Sequence, residues 1–205
     1  MDEFFQENAS RVGLWCGAAD DDADLAGVAD MIAARGLSMI SALPDDVMRL
    51  WAWLEGRPAK ILARFYLPPR GGADVNAISD MTARINAAFK QGAAGAQIFM
   101  RAADLESFAD MIAPVRDDLF FNRDFSIGLD IGDIDATDWE RIFDIVRRLH
   151  VGALTLVLTR DAGVRSDFVG RVYAALNNWG DVNCDLHFVP ARHFIRIEQV
   201  LRLSD

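Results

Sequence analysis

Only two cysteines occur in 205 residues, Cys16 and Cys184. Their separation fits neither a disulfide framework nor the close pairs of a zinc site, so both read as reduced thiols. No apolar run approaches the roughly 18 residues that cross a bilayer. The N-terminus, Met1-Asp2-Glu3-Phe4-Phe5, has no basic segment followed by an apolar one, so no secretory leader is expected. The chain is expected to be cytoplasmic, with no membrane partner. No Lys/Arg cluster offsets a net charge of −10 and a pI near 4.7, which argues against nucleic acid. The turn Trp15-Cys16-Gly17-Ala18-Ala19-Asp20 lacks the Gly-x-Gly-x-x-Gly of dinucleotide sites, and no P-loop is present. There is no Pro/Ser-rich linker either. Residues 1–205 read as one domain, with 1–10 as an N-terminal helix or arm anchored by Phe4 and Phe5.

What is present is alternation. At 52% hydrophobic, the chain can bury a sizeable core. Strand-like segments at 12–18, 37–42, 59–67, 96–100, 126–132, 153–159 and 185–189 alternate with amphipathic helices. The helix near 47–54 has the stripe Val47, Leu50, Trp51 and Leu54, and that near 105–112 has Leu105, Phe108, Ala109 and Ile112. Thr137 with Glu140 has capping-box spacing ahead of Trp139, Ile142, Phe143, Val146 and Leu149. Helices near 166–176 and 194–201 complete the pattern. Seven β/α units imply a parallel sheet covered by helices.

The strands choose between two closures. In 126–132, Ile127, Leu129 and Ile131 oppose Ser126, Gly128, Asp130 and Gly132. In 59–67, Ile61, Ala63, Phe65 and Leu67 oppose Lys60, Leu62, Arg64 and Tyr66. Central strands of an open doubly wound sheet are apolar on both faces. Burying these charges under helices would cost several kcal/mol each unless paired. A (β/α) TIM-type barrel with a polar lumen avoids most of that cost. It would be small or incomplete, with about seven units, because eight normally need ~250 residues. The N-terminal arm or a second subunit would cover the gap.

Barrel chemistry sits at the C-terminal ends of the strands. That rule selects Trp15, Arg64, Tyr66, Arg101, Asp130, Thr159 and His187. Asp130, flanked by Gly128 and Gly132, has the small neighbours that leave a general base room; its structural alternative is a pair with Arg64 or Arg101. Arg64 and Arg101 end neighbouring strands and suit a shared anion through guanidinium forks, or else neutralise Asp130. His187 or Tyr66 would assist at a carbonyl, although a lone inward histidine is often only hydrogen-bonded. Trp15 and Thr159 would line the substrate. No cofactor is expected. The weaker metal reading places Mg²⁺ or Mn²⁺ at Asp130, Asp133, Asp135 and His187, against Asp135 and Thr137 as helix caps.

Lys60 invites a Schiff-base role, but it stands at the wrong end of its strand, and an ion pair with Asp185 at the barrel floor is preferred. Cys16 is expected to face the helices with Leu14. The loop Val189-Pro190-Ala191-Arg192-His193 has no glycine, so a bound phosphate would rely on side chains. Trp53, off its helix stripe, is the candidate contact of a homo-oligomer. The function expected is a lyase or isomerase acting on a small anionic carbonyl or sugar-derived compound. The alternative is a non-catalytic barrel serving as a ligand-binding or assembly module.

Overall fold

In the computed structural model of the chain, residues 13–17, 21–35, 37, 39–57, 59–67, 75–135, 137–158 and 185–190 are described. The side chains of 35, 75–78, 158 and 185–190 are not. The elements are β1 (Gly13–Trp15), α1 (Asp22–Arg35), β2 (Met39–Ala42), α2 (Val47–Leu54), β3 (Lys60–Tyr66), α3 (Val75–Lys90), β4 (Gly95–Met100), α4 (Leu105–Ile112), α5 (Arg116–Phe120), β5 (Asp124–Asp130), α6 (Trp139–Arg148), β6 (Ala153–Leu158) and β7 (Asp185–Pro190). The expected final helices, 166–176 and 194–201, lie outside the described residues.

The strands make one sheet, all parallel, in the order β1 to β7. This order has a physical consequence. Each crossover steps one strand in the same direction, and crossovers of one hand then put every helix on the same face. The opposite face must be enclosed by curling the sheet. At the seam, β1 and β7 come within 8 Å between Cα atoms, with no ladder joining them among the described residues. A doubly wound sheet needs a reversal of strand order, and none occurs here. The architecture is an incomplete β/α barrel.

Two apolar clusters follow from this curvature. The larger lies between strands and helices and includes Ile40, Ala63, Ile98, Ile127 and Leu154, packed with Leu25, Leu50, Ile85, Phe108 and Ile142. The smaller lies inside the cylinder and comprises Met39, Leu62, Phe99 and Val157, with Trp15 against it. Alternation along each strand assigns neighbours to opposite clusters, as in Ile61, Leu62 and Ala63.

Two local features depart from the sequence reading. Trp51 is 48% exposed rather than buried. Val47, Leu50 and Leu54 fill the space under α2, and Trp51 instead lies over Gly92, whose φ of +106° and bare Cα leave no room for a side chain. Helix α6 starts at Trp139 with Asp138 as its N-cap residue, so Thr137 and Glu140 do not form the expected box. Asp138 Oδ2 accepts the Asp135 amide at 3.1 Å and closes the turn instead. Short 3-10 turns, Pro44–Asp46 and Ala102–Asp104, carry β2 and β4 into their helices.

Gly128 controls the inner packing. A Cβ there would overlap the Phe99 ring, which also meets Trp15 edge-on at 5.2 Å between centroids. Gly128→Ala is expected to cost about 1–3 kcal/mol in urea unfolding, the usual penalty for overpacking. In a Phe99→Leu background the same substitution should cost clearly less. Equal costs in the two backgrounds would show that Phe99 does not occupy that space.

Candidate functional site

Arg64 dominates the upper lumen. It is the fifth residue of a seven-residue strand and is only 2% exposed. Its Nη2 donates to the Cys16 carbonyl at 2.8 Å and its Nη1 to the Ser41 carbonyl at 3.2 Å. These two carbonyls emerge at the C-terminal ends of β1 and β2. The guanidinium lies 3.6 Å from the Trp15 ring centroid, a desolvated cation–π contact of the kind worth about 2 kcal/mol. No carboxylate pairs with Arg64 among the described residues, and its Nε–H has no partner. Burial pushes the guanidinium below its ordinary value, with Tyr66 the largest opposing influence. The site is a covered cation.

Tyr66 ends the same strand at the rim, 57% exposed, its ring 5.9 Å from Phe99. Partial burial raises its phenol above the ordinary value, while Arg64 pulls it down. Below Arg64 runs a buried polar chain. Gln97 Nε2 donates to Thr155 Oγ1 at 3.0 Å, and Thr155 Oγ1 shares a 2.6 Å hydrogen bond with Ser126 Oγ. At the floor, Lys60 Nζ pairs with Asp124 Oδ2 at 2.7 Å. Gly95 permits this approach, since a Cβ there would meet the Asp124 backbone. Asp124, rather than the expected Asp185, is therefore the observed partner of Lys60; the Asp185 side chain is outside the described part.

The expected constellation is only partly assembled. Arg64, Trp15 and Tyr66 come together. Arg101 does not join them: its side chain is 55% exposed and its Nε donates to Asp104 Oδ2 at 2.7 Å. That hydrogen bond is the leading reason its pKa is raised. Asp130 accepts the Gly132 amide at 2.8 Å, closing the turn after β5, and takes part in further interactions. The space expected beside it at Gly128 is taken by Phe99. His187 stands opposite Thr155 in register, its side chain outside the described part, and Thr159 is outside altogether. Among the described residues no group of three His, Cys, Asp or Glu side chains is placed to hold a metal ion. None of the described helices is long and apolar enough to cross a membrane.

Ser41, Gln97 and Phe99 are the inward residues that strand-end reasoning passed over. The same period-two split finds them, because Met39-Ile40-Ser41-Ala42 and Ala96-Gln97-Ile98-Phe99 alternate as cleanly as β3 does.

No protein-family model matches this chain, and no curated protein sequence matches it. Solved structures do. The chain is similar to a deoxyribose phosphate aldolase from Aeropyrum pernix, described as tetrameric, at 14% identity and TM-score 0.68 over 97% of this chain and 83% of that one. It is similar to a protein provisionally assigned as a deoxyribose-phosphate aldolase from Coccidioides immitis, at 9% identity and TM-score 0.67 over 96% and 85%. A third, an aldolase called QR15, gives 11% identity and TM-score 0.58 over 94% and 96%. At these identities the likeness establishes the barrel fold.

Cys16 is buried, its thiol donating to the Gly17 carbonyl at 3.3 Å. Burial first, then the Asp46 carboxylate, push this thiol from near 9 to about 11. An unfolded thiol ionises near 9, so native stability from this group is intact below that pH and declines as pH rises towards 11. The loss should reach about 2–3 kcal/mol. Denaturant midpoints between pH 8.5 and 11 should fall more steeply for the parent than for Cys16→Ala. Parallel curves would refute the assignment.

Proposed function

We propose that this barrel is a lyase or isomerase that takes a small anionic carbonyl or sugar-derived compound at its C-terminal mouth. The observation that carries the reading is Arg64, a cation 2% exposed that no carboxylate among the described residues neutralises. An isolated buried charge costs several kcal/mol unless something compensates it. Two carbonyls and the Trp15 ring compensate in part, and an anionic ligand would complete the balance. Tyr66 stands at the rim as an acid–base group, its ring centroid 6.0 Å from that charge, and Asp130, the last residue of β5, and His187, in β7, are the proposed proton carriers. Fold-level support comes from the aldolases above, since β/α barrels work at this face.

Imine chemistry is not part of the proposal. A Schiff base needs an amine at the mouth. Lys60 and Lys90 are the chain's lysines; the first is paired at the floor and the second ends α3 on the outside.

The second reading, a barrel that binds or assembles without catalysis, rests on a different observation: Phe99 over Gly128 fills the lumen in which a substrate would sit beside Asp130. A thermal-shift screen of phosphosugars, 2-oxo acids and divalent ions separates the readings. At least one anion should raise the melting temperature of the parent, and Arg64→Lys, which keeps charge but loses the planar fork, should abolish that shift. Turnover of the stabilising compound, reduced at least tenfold by Asp130→Asn, would mark a catalyst; binding without turnover supports the second reading. No response to any anion would sink the proposal. Borohydride added with a carbonyl ligand should leave both lysines unmodified, and a reduced adduct on either would overturn the imine-free route.

A further inference from the structure

Among the described residues, three buried polar atoms in the lumen have no hydrogen-bond partner: Ser41 Oγ, Arg64 Nε and Gln97 Oε1. They belong to side chains no more than 2% exposed. They also stand on β2, β3 and β4, three successive strands. Gln97 is the register partner of Arg64, and Ser41 is the partner of Leu62, two residues earlier on the same face. Register partners on adjacent strands are about 4.8 Å apart, which sets Gln97 beside Arg64, while Ser41 lies on the diagonal from Arg64. Arg64 already reaches the Ser41 carbonyl at 3.2 Å.

Unmade hydrogen bonds on buried groups are costly, about 1–3 kcal/mol apiece. Three such atoms on one face of three successive strands point to an occupant of complementary polarity. Arg64 Nε–H is a donor. Ser41 Oγ is a hydroxyl free to donate. Gln97 offers its carbonyl oxygen, because its Nε2 is already given to Thr155. The occupant therefore needs two acceptors, one negative charge and one donor.

We propose that the lumen seats a small 2-hydroxy carboxylate, with the carboxylate on Arg64 Nε–H and Ser41 Oγ–H and the hydroxyl donated to Gln97 Oε1. This rests on the reading of Arg64 as the ligand anchor and narrows it. A phosphate dianion fits less well. It presents acceptors at every corner, so one would face the Gln97 oxygen, and its second charge has no second cation in the seat. Ser41 and Gln97 become specificity residues: Ser41 for the anion, Gln97 for the hydroxyl.

The test uses glycolate, acetate and inorganic phosphate as probes, by calorimetric titration and thermal shift on the parent, Ser41→Ala and Gln97→Leu. The parent should bind glycolate about tenfold more tightly than acetate, which lacks the hydroxyl. Ser41→Ala should weaken glycolate about tenfold or more, as expected for a hydrogen bond to a charged group. Its own melting temperature should barely move, because the lost hydroxyl had no partner. Gln97→Leu should erase the preference for glycolate over acetate; if that variant fails to fold, Ser41→Ala decides. Phosphate binding without glycolate, or equal binding of glycolate and acetate by the parent, overturns the proposal and leaves Arg64 as a ligand anchor. Silence from all three probes and from the phosphosugar panel ends that anchor role and this seat together.

Discussion

Helices on one face only is the constraint from which the rest follows. Parallel strands in chain order send the described helices over the outer surface. Whatever points inward must then be packed by the strands alone, in a cylinder too narrow for a second layer. This chain fills it with an apolar plug, Met39, Leu62, Phe99 and Val157, beside a polar chain through Gln97, Thr155 and Ser126. Arg64 sits where these two fillings meet. Its charge is tolerable there because strand-end carbonyls and an indole ring do what water would do outside.

Much of this was legible in the sequence because side-chain alternation is a local property. Period two in β3 and β5 put Arg64 and Ser126 inside and Phe65 and Ile127 outside, and the structure agrees. Partner choice was not legible. Arg101 and Arg64 are inward by the same count, yet Arg101 meets Asp104 in the turn beyond its own strand. Lys60 reaches Asp124 because Gly95, on the strand between them, lets the backbones close up. The first contact is set by the turn after β4 and the second by the heights of strands two apart, which register and curvature decide and composition does not.

Glycines carried a further ambiguity. Beside a carboxylate, Gly128 reads as room for a ligand. In a sheet, a glycine also marks where a neighbouring side chain approaches closely, and the Phe99 ring takes that space. Gly92 repeats the case on the surface, where Trp51 lies against a residue without a Cβ. Both aromatic residues looked like ordinary members of a stripe or strand until their glycine was placed beneath them. An empty position in the sequence is therefore an unassigned volume, and the rings nearby compete with any ligand for it.

That competition bears on the chemistry. The aldolases that share this barrel at 9–14% identity establish an architecture, and one architecture carries many reactions. The chemistry must be read from the distribution of charge inside this chain. Its lysines are at the floor and on the outer surface, Arg101 is engaged with Asp104, and among the described residues the one buried guanidinium, Arg64, keeps a donor in reserve. A cation held at that depth by carbonyls and a ring is stabilised without being neutralised. A monoanion arriving with its own hydroxyl would neutralise Arg64 and satisfy the two orphaned atoms beside it in one step. Bulk water, which brings no charge, would do only the second of these.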